Sequence, residues 1–256
     1  MFVRIARVAL RVACLCVLVG GSSAAFAAEQ ADAGAKKETK TETWYKVILP
    51  TQPWGCLHSV VEEIEYDGQP ARHDVERLLL RDMETRKMGQ YSSEETWSTL
   101  DGRLLKYIRN ENEDVTTVVV DGAKIVVTKT VNGKETPVKT IDIPQGTTVS
   151  IGADEATLKQ MGFKAGEKRE FTIFSVNSMS LVKETVTAAK TQPYVQGGRN
   201  VQGYLYQIVD SDAKGIIVEW ILSTDFEIVY MKWPTPYGAI ECVKFSAADA
   251  AKLGAK

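Results

Sequence analysis

The pattern of hydrophobic and polar residues along the chain is typical of β structure. From Trp44 onward, short runs of alternating apolar and polar side chains are separated by turn residues. Such alternation places the apolar side chains on one face of a strand. The short connections favour antiparallel neighbours over helix-linked parallel strands. The runs predicted as strands are 46–49, 57–66, 72–80, 92–98, 104–109, 115–120, 125–131, 170–176, 182–188, 203–209, 216–222 and 226–233.

Two-residue turn signals punctuate the first half of this pattern. Glycine after Asp or Asn favours the tight turns that join antiparallel strands, because both residue types tolerate a positive φ. The dipeptides are Asp67-Gly68, Asp101-Gly102, Asp121-Gly122 and Asn132-Gly133.

Helix signals are few. Asp154 is placed to cap a short helix over 155–161 that ends at Gly162, and Ser246 is placed to cap another over 247–253. The fold class predicted from this count is mainly β: a curved antiparallel sheet, or half-barrel, with one or two short helices.

Residues 1–27 resemble a secretory signal peptide. Three arginines precede an apolar run over 12–20, which is far shorter than the about 20 residues that span a bilayer. Ala25-Phe26-Ala27 then forms a small-x-small cleavage site. This segment predicts an exported protein of the periplasm or cell envelope, with no transmembrane span after cleavage.

The remaining chain divides into two parts. Residues 28–43 contain no apolar residue larger than Ala, so they are predicted to form a disordered tether. Residues 44–256 show no repeat and no internal linker, and they are predicted to form a single β-rich domain.

Composition and charge exclude several classes of protein. The chain is 44% hydrophobic and 25% charged, as in an ordinary globular protein. Its formal charge is −2, and removal of the signal arginines makes it more negative. Because no long basic block is present, nucleic acids and anionic membrane surfaces are disfavoured as partners.

Cys56 and Cys242 are the cysteines that follow the predicted signal. An exported protein meets an oxidising compartment, so a disulfide between them is one interpretation. Two buried free thiols are the other, since the sequence does not give the distance between the sulfur atoms.

The candidates for catalysis are weak, and no catalytic residue, metal site or cofactor is predicted. Cys56 and His58 are close in sequence, but residues two apart on a strand are about 7 Å apart, too far for a thiol and its base. His73 lies in a charged strand. Glu62, Glu63, Glu94 and Glu95 are interpreted as parts of solvated strand faces.

An aromatic segment near the end of the chain is the main candidate site. Tyr230, Trp233 and Tyr237 lie beside two prolines, which cannot donate ladder hydrogen bonds, so an edge strand or a loop is predicted. Together with Trp220, these rings are predicted to bind an apolar ligand or a partner. The alternative is that they anchor the last strand to the core.

Several short motifs resemble those of uncharacterised exported bacterial domains. Such domains resemble the lipoprotein-carrier (LolA-like) half-barrel, and some precede a transglutaminase-like domain in longer proteins. The resemblance implies a fold and no catalytic residue. Its motifs are Trp44-Tyr45, Gly55, His58, residues 65–71, Gly166-Glu167, Phe171, Trp220, Asp225 and Ile228-Val229.

The function predicted first is a non-catalytic envelope or periplasmic domain that binds an apolar, lipid-like ligand on the concave face of its sheet. The alternative is a protein–protein interaction or scaffold module of the envelope. A minor alternative is a Cys-dependent hydrolase or acyltransferase using Cys56.

Overall fold

A computed structural model describes residues 40–255 apart from 51, 83–84, 86, 112–113, 197–198, 213–215 and 237. The predicted signal peptide and most of the predicted tether therefore lie outside the described residues. The helices are α1 (Glu155–Met161) and α2 (Ala247–Lys252). The strands are β1 (Lys40–Leu49), β2 (Gln52–Tyr66), β3 (Gln69–Arg81), β4 (Met88–Thr99), β5 (Leu104–Glu111), β6 (Asp114–Asp121), β7 (Lys124–Val131), β8 (Lys134–Asp142), β9 (Lys168–Ser175), β10 (Ser180–Gln196), β11 (Arg199–Asp210), β12 (Val218–Leu222), β13 (Ile228–Thr235) and β14 (Gly238–Phe245).

The strands form one curved, 14-stranded antiparallel sheet that does not close, which confirms the predicted fold class. Its order is β8-β7-β6-β5-β4-β3-β2-β1-β14-β13-β12-β11-β10-β9. Two meanders, β1 to β8 and β9 to β14, are thus joined where β1 pairs with β14. The two ends of the sheet are linked by the segment that contains α1, in which Ser150 forms isolated bridges to Arg103 and Ile173.

The turn signals join consecutive strands as predicted. At the turn between β2 and β3, Asp67 and Gly68 have φ values of 50° and 73°, and at the turn between β7 and β8, Asn132 and Gly133 have 53° and 74°. Two successive positive φ values are those of the turn whose twist matches the flanking strands. This geometry fixes the register of each hairpin, and with it the set of side chains that share a face.

The inner face of the sheet is defined here as the face that contacts α1. Leu158 and Met161 of α1 pack there against Tyr45, Trp220 and Trp233 in the largest hydrophobic cluster. The outer face carries a smaller cluster of Trp44, Cys56 and Leu79, which is covered by Ala250 and Leu253 at the C-terminal end of the chain. The core therefore lies inside the curve, and α1 fills part of it.

Both predicted helices are present with the predicted caps. The Asp154 side chain accepts the Thr157 N–H, and the Ser246 side chain accepts the Asp249 N–H. No helix within the described ranges has the length and apolar character needed to cross a bilayer.

Three features of the sheet differ from the sequence prediction. Strand β1 begins at Lys40 rather than Trp44, because residues with small or polar side chains still pair with β2; Thr43 is buried opposite Ser59. Strands β8 and β14 were not predicted. The prediction of an edge or loop around Trp233 is wrong, since β13 lies between β12 and β14. Its Pro234 is tolerated near the hairpin end, where it pairs with Ala239.

Candidate functional site

The aromatic residues predicted to form one binding site do not lie together. Trp220 and Trp233 are 0% and 1% exposed and belong to the inner core. Tyr230 packs on the opposite face against Leu205, because positions 230 and 233 have opposite parity along β13. Tyr237 lies outside the described residues. The described rings therefore anchor strands, and they form no exposed rim.

The possible disulfide between Cys56 and Cys242 is not formed, and both cysteines are free and buried. Cys56 pairs with Lys46 and Cys242 pairs with Val47, on opposite sides of β1. Since adjacent residues on β1 point to opposite faces, the two thiols lie on opposite faces of the sheet. The register thus explains why the bond is absent.

The surroundings of Cys56 do not activate its thiol. Burial raises the pKa of Cys56 to about 11, with a small opposing effect from Lys46. His58 lies on the same face, but its ring stacks on Trp44 with centroids 3.9 Å apart, and its Nε2 lies 2.8 Å from Glu42 Oε1. These contacts hold His58 in a surface cluster that gives the thiol no base.

The inner face of β2 to β5 is only partly apolar: beside Leu57 and Leu78 of the main hydrophobic cluster it carries a buried polar region, which the predicted apolar concave face did not include. Glu76 on β3 pairs directly with Glu94 on β4, and Ser59 on β2 lies on the other side of Glu76. Asp74 is two positions along β3 on the same face. Glu94 is 4% exposed and Ser59 is fully buried, so the interpretation of Glu94 as a solvated residue is wrong.

Two arginines neutralise part of this acidic region. Arg109 on β5 is 3.6 Å from Glu94 and 3.1 Å from Glu111. Arg72 on β3 is 3.7 Å from Asp74 and 2.5 Å from Asp154, the cap of α1. Each arginine is thus shared between two carboxylates.

Burial raises the pKa of the inner carboxyl groups. It raises the pKa of Asp74 to about 8, against the opposing effect of Arg72, and the pKa of Glu94 to about 7, against that of Arg109. The pKa of Glu76 is raised well above its ordinary value by burial and then by Asp74. These groups therefore hold protons at a pH where solvated carboxyls do not.

Several atoms of this region have no hydrogen-bond partner among the described residues. They include the acceptors Ser59 Oγ, both carboxyl oxygens of Asp74 and Oε1 of Glu76, and the donors Nε of Arg72 and Nε of Arg109. Glu94 is hydrogen-bonded to the Tyr107 side chain. An unpaired buried polar group costs about 1–3 kcal/mol. The region can therefore accept donors from water or from a ligand.

A different set of acidic residues holds the N-terminal end of α1. Glu184 Oε1 accepts the Ala153 N–H at 2.7 Å, and Glu155 Oε1 accepts the Ile228 N–H at 2.5 Å. Burial raises the pKa of Glu184 well above its ordinary value, and Asp210 raises it further. These contacts tie α1 to β10 and to the start of β13, which is a structural role.

A pocket of about 400 Å³ opens at one end of the sheet. Apolar side chains from β5, β6 and the segment before α1 form much of its lining, and the rest is polar or backbone. The apolar residues are Leu104, Leu105, Val120, Ile143 and Val149, and the polar ones include Gln69, Thr99, Arg103 and Gln145. The amino-acid sequence carries no local signal for this pocket, because its lining comes from separate segments brought together by the fold.

Metal ligation has no candidate in the described part of the chain. No group of three or more His, Cys, Asp or Glu side chains there is arranged to hold a metal ion. The inner acidic residues are thus not arranged as a metal centre.

Comparison with solved structures shows a likeness of fold. The chain is similar to a β-barrel-like protein of a domain of unknown function, DUF1849, from Brucella abortus, with 14% identity, 80% of this chain and 95% of that chain covered, and a TM-score of 0.51. A DUF1089 family protein from Pseudomonas aeruginosa matches at 11% identity over 80% of this chain and 95% of its own, with a TM-score of 0.25. No protein-family model matches the chain, and no curated protein matches it.

Proposed function

We propose that the chain is an exported, non-catalytic binding domain that holds the apolar part of a small, lipid-like ligand in the end pocket. The observation that carries this proposal is the pocket itself. Its volume of about 400 Å³ falls in the range of small-molecule sites. Its lining is mixed: five large apolar side chains are available to an acyl chain, and the larger share of the surface is polar.

The filling of the inner face under β11 to β14 supports this location. Trp220, Trp233 and Tyr206 occupy the interior under β11 to β14 and are each no more than 1% exposed. An apolar ligand has no room there without displacing them. The barrel-like fold shared with the Brucella abortus protein is compatible with a ligand at the open end.

One charged side chain favours an anionic head group on the ligand. Arg103 lines the pocket and is 57% exposed, and its present partner is Asp101 at 3.3 Å. An exposed ion pair of this kind is weak, because water screens both charges. A carboxylate or phosphate at the rim can therefore compete for the Arg103 guanidinium.

The exported and non-catalytic parts of the proposal rest on separate features. Residues 1–27 have the pattern of a signal peptide. The buried Cys56 thiol, with its raised pKa, lacks the activation that a nucleophile needs. The relation to lipoprotein carriers remains a prediction from the sequence motifs.

Titration calorimetry that measures the binding of dodecanoate tests the proposal. Val120→Asp should weaken binding by about tenfold or more, because it places a charge in the apolar lining. Val119→Asp is the matched control, since Val119 lies next to it on β6 but on the other face, opposite Lys106. Thermal melts check that both variants fold.

The head group is tested with the same ligand chain. Arg103→Ala should weaken dodecanoate binding and leave the binding of dodecanol unchanged. Absence of saturable binding to the unmodified protein, or equal effects of Val120→Asp and Val119→Asp, would contradict the proposed function.

A second candidate function is supported by the edge strand β8. Its residues are exposed except for the half-buried Ile141, and Val138 is 47% exposed. An edge of this kind can pair with a strand of a partner protein. However, Pro137 and two lysines, Lys134 and Lys139, lie along β8, and these residue types protect natural edges from pairing. Cross-linking of the protein in envelope extracts would support this candidate if the partner cross-links map to Lys134, and would contradict it if they map elsewhere.

A further inference from the structure

We propose that Ser59, Asp74, Glu76 and Glu94 form a second binding site on the inner face, one that takes the ammonium group of a small organic amine. None of these four residues lines the end pocket. The inference is therefore independent of the lipid-like ligand.

The register of the sheet brings the four side chains together. Ser59, Glu76, Glu94 and Arg109 are successive cross-strand partners on β2, β3, β4 and β5. Asp74 stands on the same face of β3, about 7 Å along the strand from Glu76. Three carboxyl groups and a hydroxyl thus face one small region.

The unpaired serine is a separate indication that a ligand belongs here. Ser59 is fully buried, and its Oγ has no partner among the described residues although it lies directly opposite Glu76. Buried hydroxyl groups in native proteins are hydrogen-bonded in the large majority of cases. The carboxyl oxygens of Asp74 are unpaired as well, whereas the Tyr107 side chain is hydrogen-bonded to Glu94.

The distribution of charge indicates a cationic donor. Arg109 is shared by Glu94 and Glu111, and its contact with Glu111 is the shorter one. Arg72 likewise lies closer to Asp154 than to Asp74. Glu76 forms no ion pair in the described part of the chain. A bound cation would supply the positive charge that these carboxyl groups lack.

The donor set fits an ammonium group better than a metal ion. A primary ammonium has three N–H donors and no acceptor, and it can bind two carboxylates and a hydroxyl at once. The described residues provide no metal-binding arrangement of His, Cys, Asp or Glu. Glu76 is half-buried, so it is more accessible than Ser59 and Glu94, which are buried.

Titration calorimetry of the full chain with butylamine and with 1-butanol at pH 8 tests this inference. Butylamine is protonated at that pH, and butanol has the same length without the charge. We expect saturable binding of butylamine and none of butanol. Absence of saturable butylamine binding, as expected if only water fills the region, would overturn the inference.

Matched variants on adjacent positions locate the site. Glu76→Gln and Glu94→Gln should each weaken butylamine binding at least tenfold. Glu95→Gln is the control, because Glu95 follows Glu94 on β4 but faces outward, with its Oε2 3.3 Å from His73 Nε2. Unchanged binding in the first two variants, or the same loss in the control, would overturn the assignment.

Two further measurements separate this site from folding defects and from the end pocket. Ser59→Ala removes the hydroxyl without changing charge, and it should weaken butylamine binding several-fold. It serves as the test variant if either carboxyl variant fails to fold. Val120→Asp should leave butylamine binding unchanged. If Val120→Asp abolishes it, the amine binds in the end pocket and the second site does not exist.

Discussion

Glu76 and Glu94 are direct cross-strand partners on the inner face of the sheet. Side chains so paired have Cβ atoms about 4.5–5.5 Å apart, and two like charges at that distance destabilise the strand pair. Burial adds to the cost of charging either group. Protonation of either carboxyl therefore stabilises the pair, and this couples the stability of the sheet to pH.

The clearest pH effect is expected from Asp74. Its pKa is raised to about 8 chiefly by burial, with Asp154 adding to the shift and Arg72 opposing it. The unfolded chain has the ordinary value of about 3.9, so the folded state binds the proton more tightly. The stability from this proton is present below about pH 4 and is lost as the pH rises through about 8, by up to about 1.4 kcal/mol per pH unit.

Asp74→Asn should remove this dependence, because the amide does not titrate. The free energy of unfolding in urea should then exceed that of the unmodified protein at pH 9 and be similar to it at pH 4. Glu135→Gln on the exposed strand β8 is the control and should change neither value. An equal urea midpoint for Asp74→Asn and the unmodified protein at pH 9 would show that the fold does not raise the pKa of Asp74.

Glu184 is expected to be essential for the position of α1. Its Oε1 accepts the Ala153 N–H at 2.7 Å, and its side chain is 0% exposed. Glu184→Ala leaves that N–H unpaired and opens a cavity, so the free energy of unfolding should fall by about 2–4 kcal/mol. Glu184→Gln keeps an acceptor oxygen, so its free energy of unfolding should fall clearly less than that of Glu184→Ala.

The same site provides a second measurement. A Cβ at Gly152 would lie 2.9 Å from Glu184 Oε1, and Gly152 has a φ of 96°, which other residues rarely adopt. Gly152→Ala should therefore destabilise the protein in the unmodified background.

Equal stability of Glu184→Ala and Glu184→Gln in chemical denaturation would show that the hydrogen bond to Ala153 contributes nothing.

The sequence predicted the local elements well because their signals are local. Glycine after Asp67 and after Asn132 specifies turns through backbone conformation alone, and Asp154 specifies a helix start through one side-chain contact. Strand β8 was missed because its exposed residues need no apolar alternation, and β14 because it begins at a glycine just after two prolines.

The candidate sites could not be predicted because they depend on which face of each strand is inward. In β3, the face with Arg72, Asp74 and Glu76 is polar, and the opposite face also carries charged residues. The alternation of polar and apolar residues along β3 therefore does not indicate which face points inward. That direction is set only by the packing of α1 and of distant strands. Tyr230 and Trp233 show the same limit: their opposite parity separates them once β13 is a strand, but the sequence does not mark which of the two faces is inward.

The close packing of strands at Gly203 gives another prediction. A Cβ there would lie 2.6 Å from the carbonyl oxygen of Leu222 on the neighbouring strand. Backbone cannot move out of the way as a flexible side chain can, so Gly203→Ala should destabilise the protein by about 1–3 kcal/mol. Gly89→Ala is the control, because no atom lies within 4 Å of its added Cβ. Urea unfolding that gives equal midpoints for the two variants would contradict the close approach of β11 and β12.

The cysteines give a chemical test of the register of β1. Cys56 and Cys242 are 0% and 3% exposed and lie on opposite faces, so the native protein should react slowly with iodoacetamide at both positions. Burial raises the pKa of Cys56 to about 11, which slows the reaction further because the thiolate is the reactive form. In urea without a reductant, both residues should be alkylated completely, as measured by peptide mass spectrometry. Labelling that required a reductant would mean that the two sulfurs are bonded, and a bond between them is incompatible with the pairing of Lys46 with Cys56 and of Val47 with Cys242.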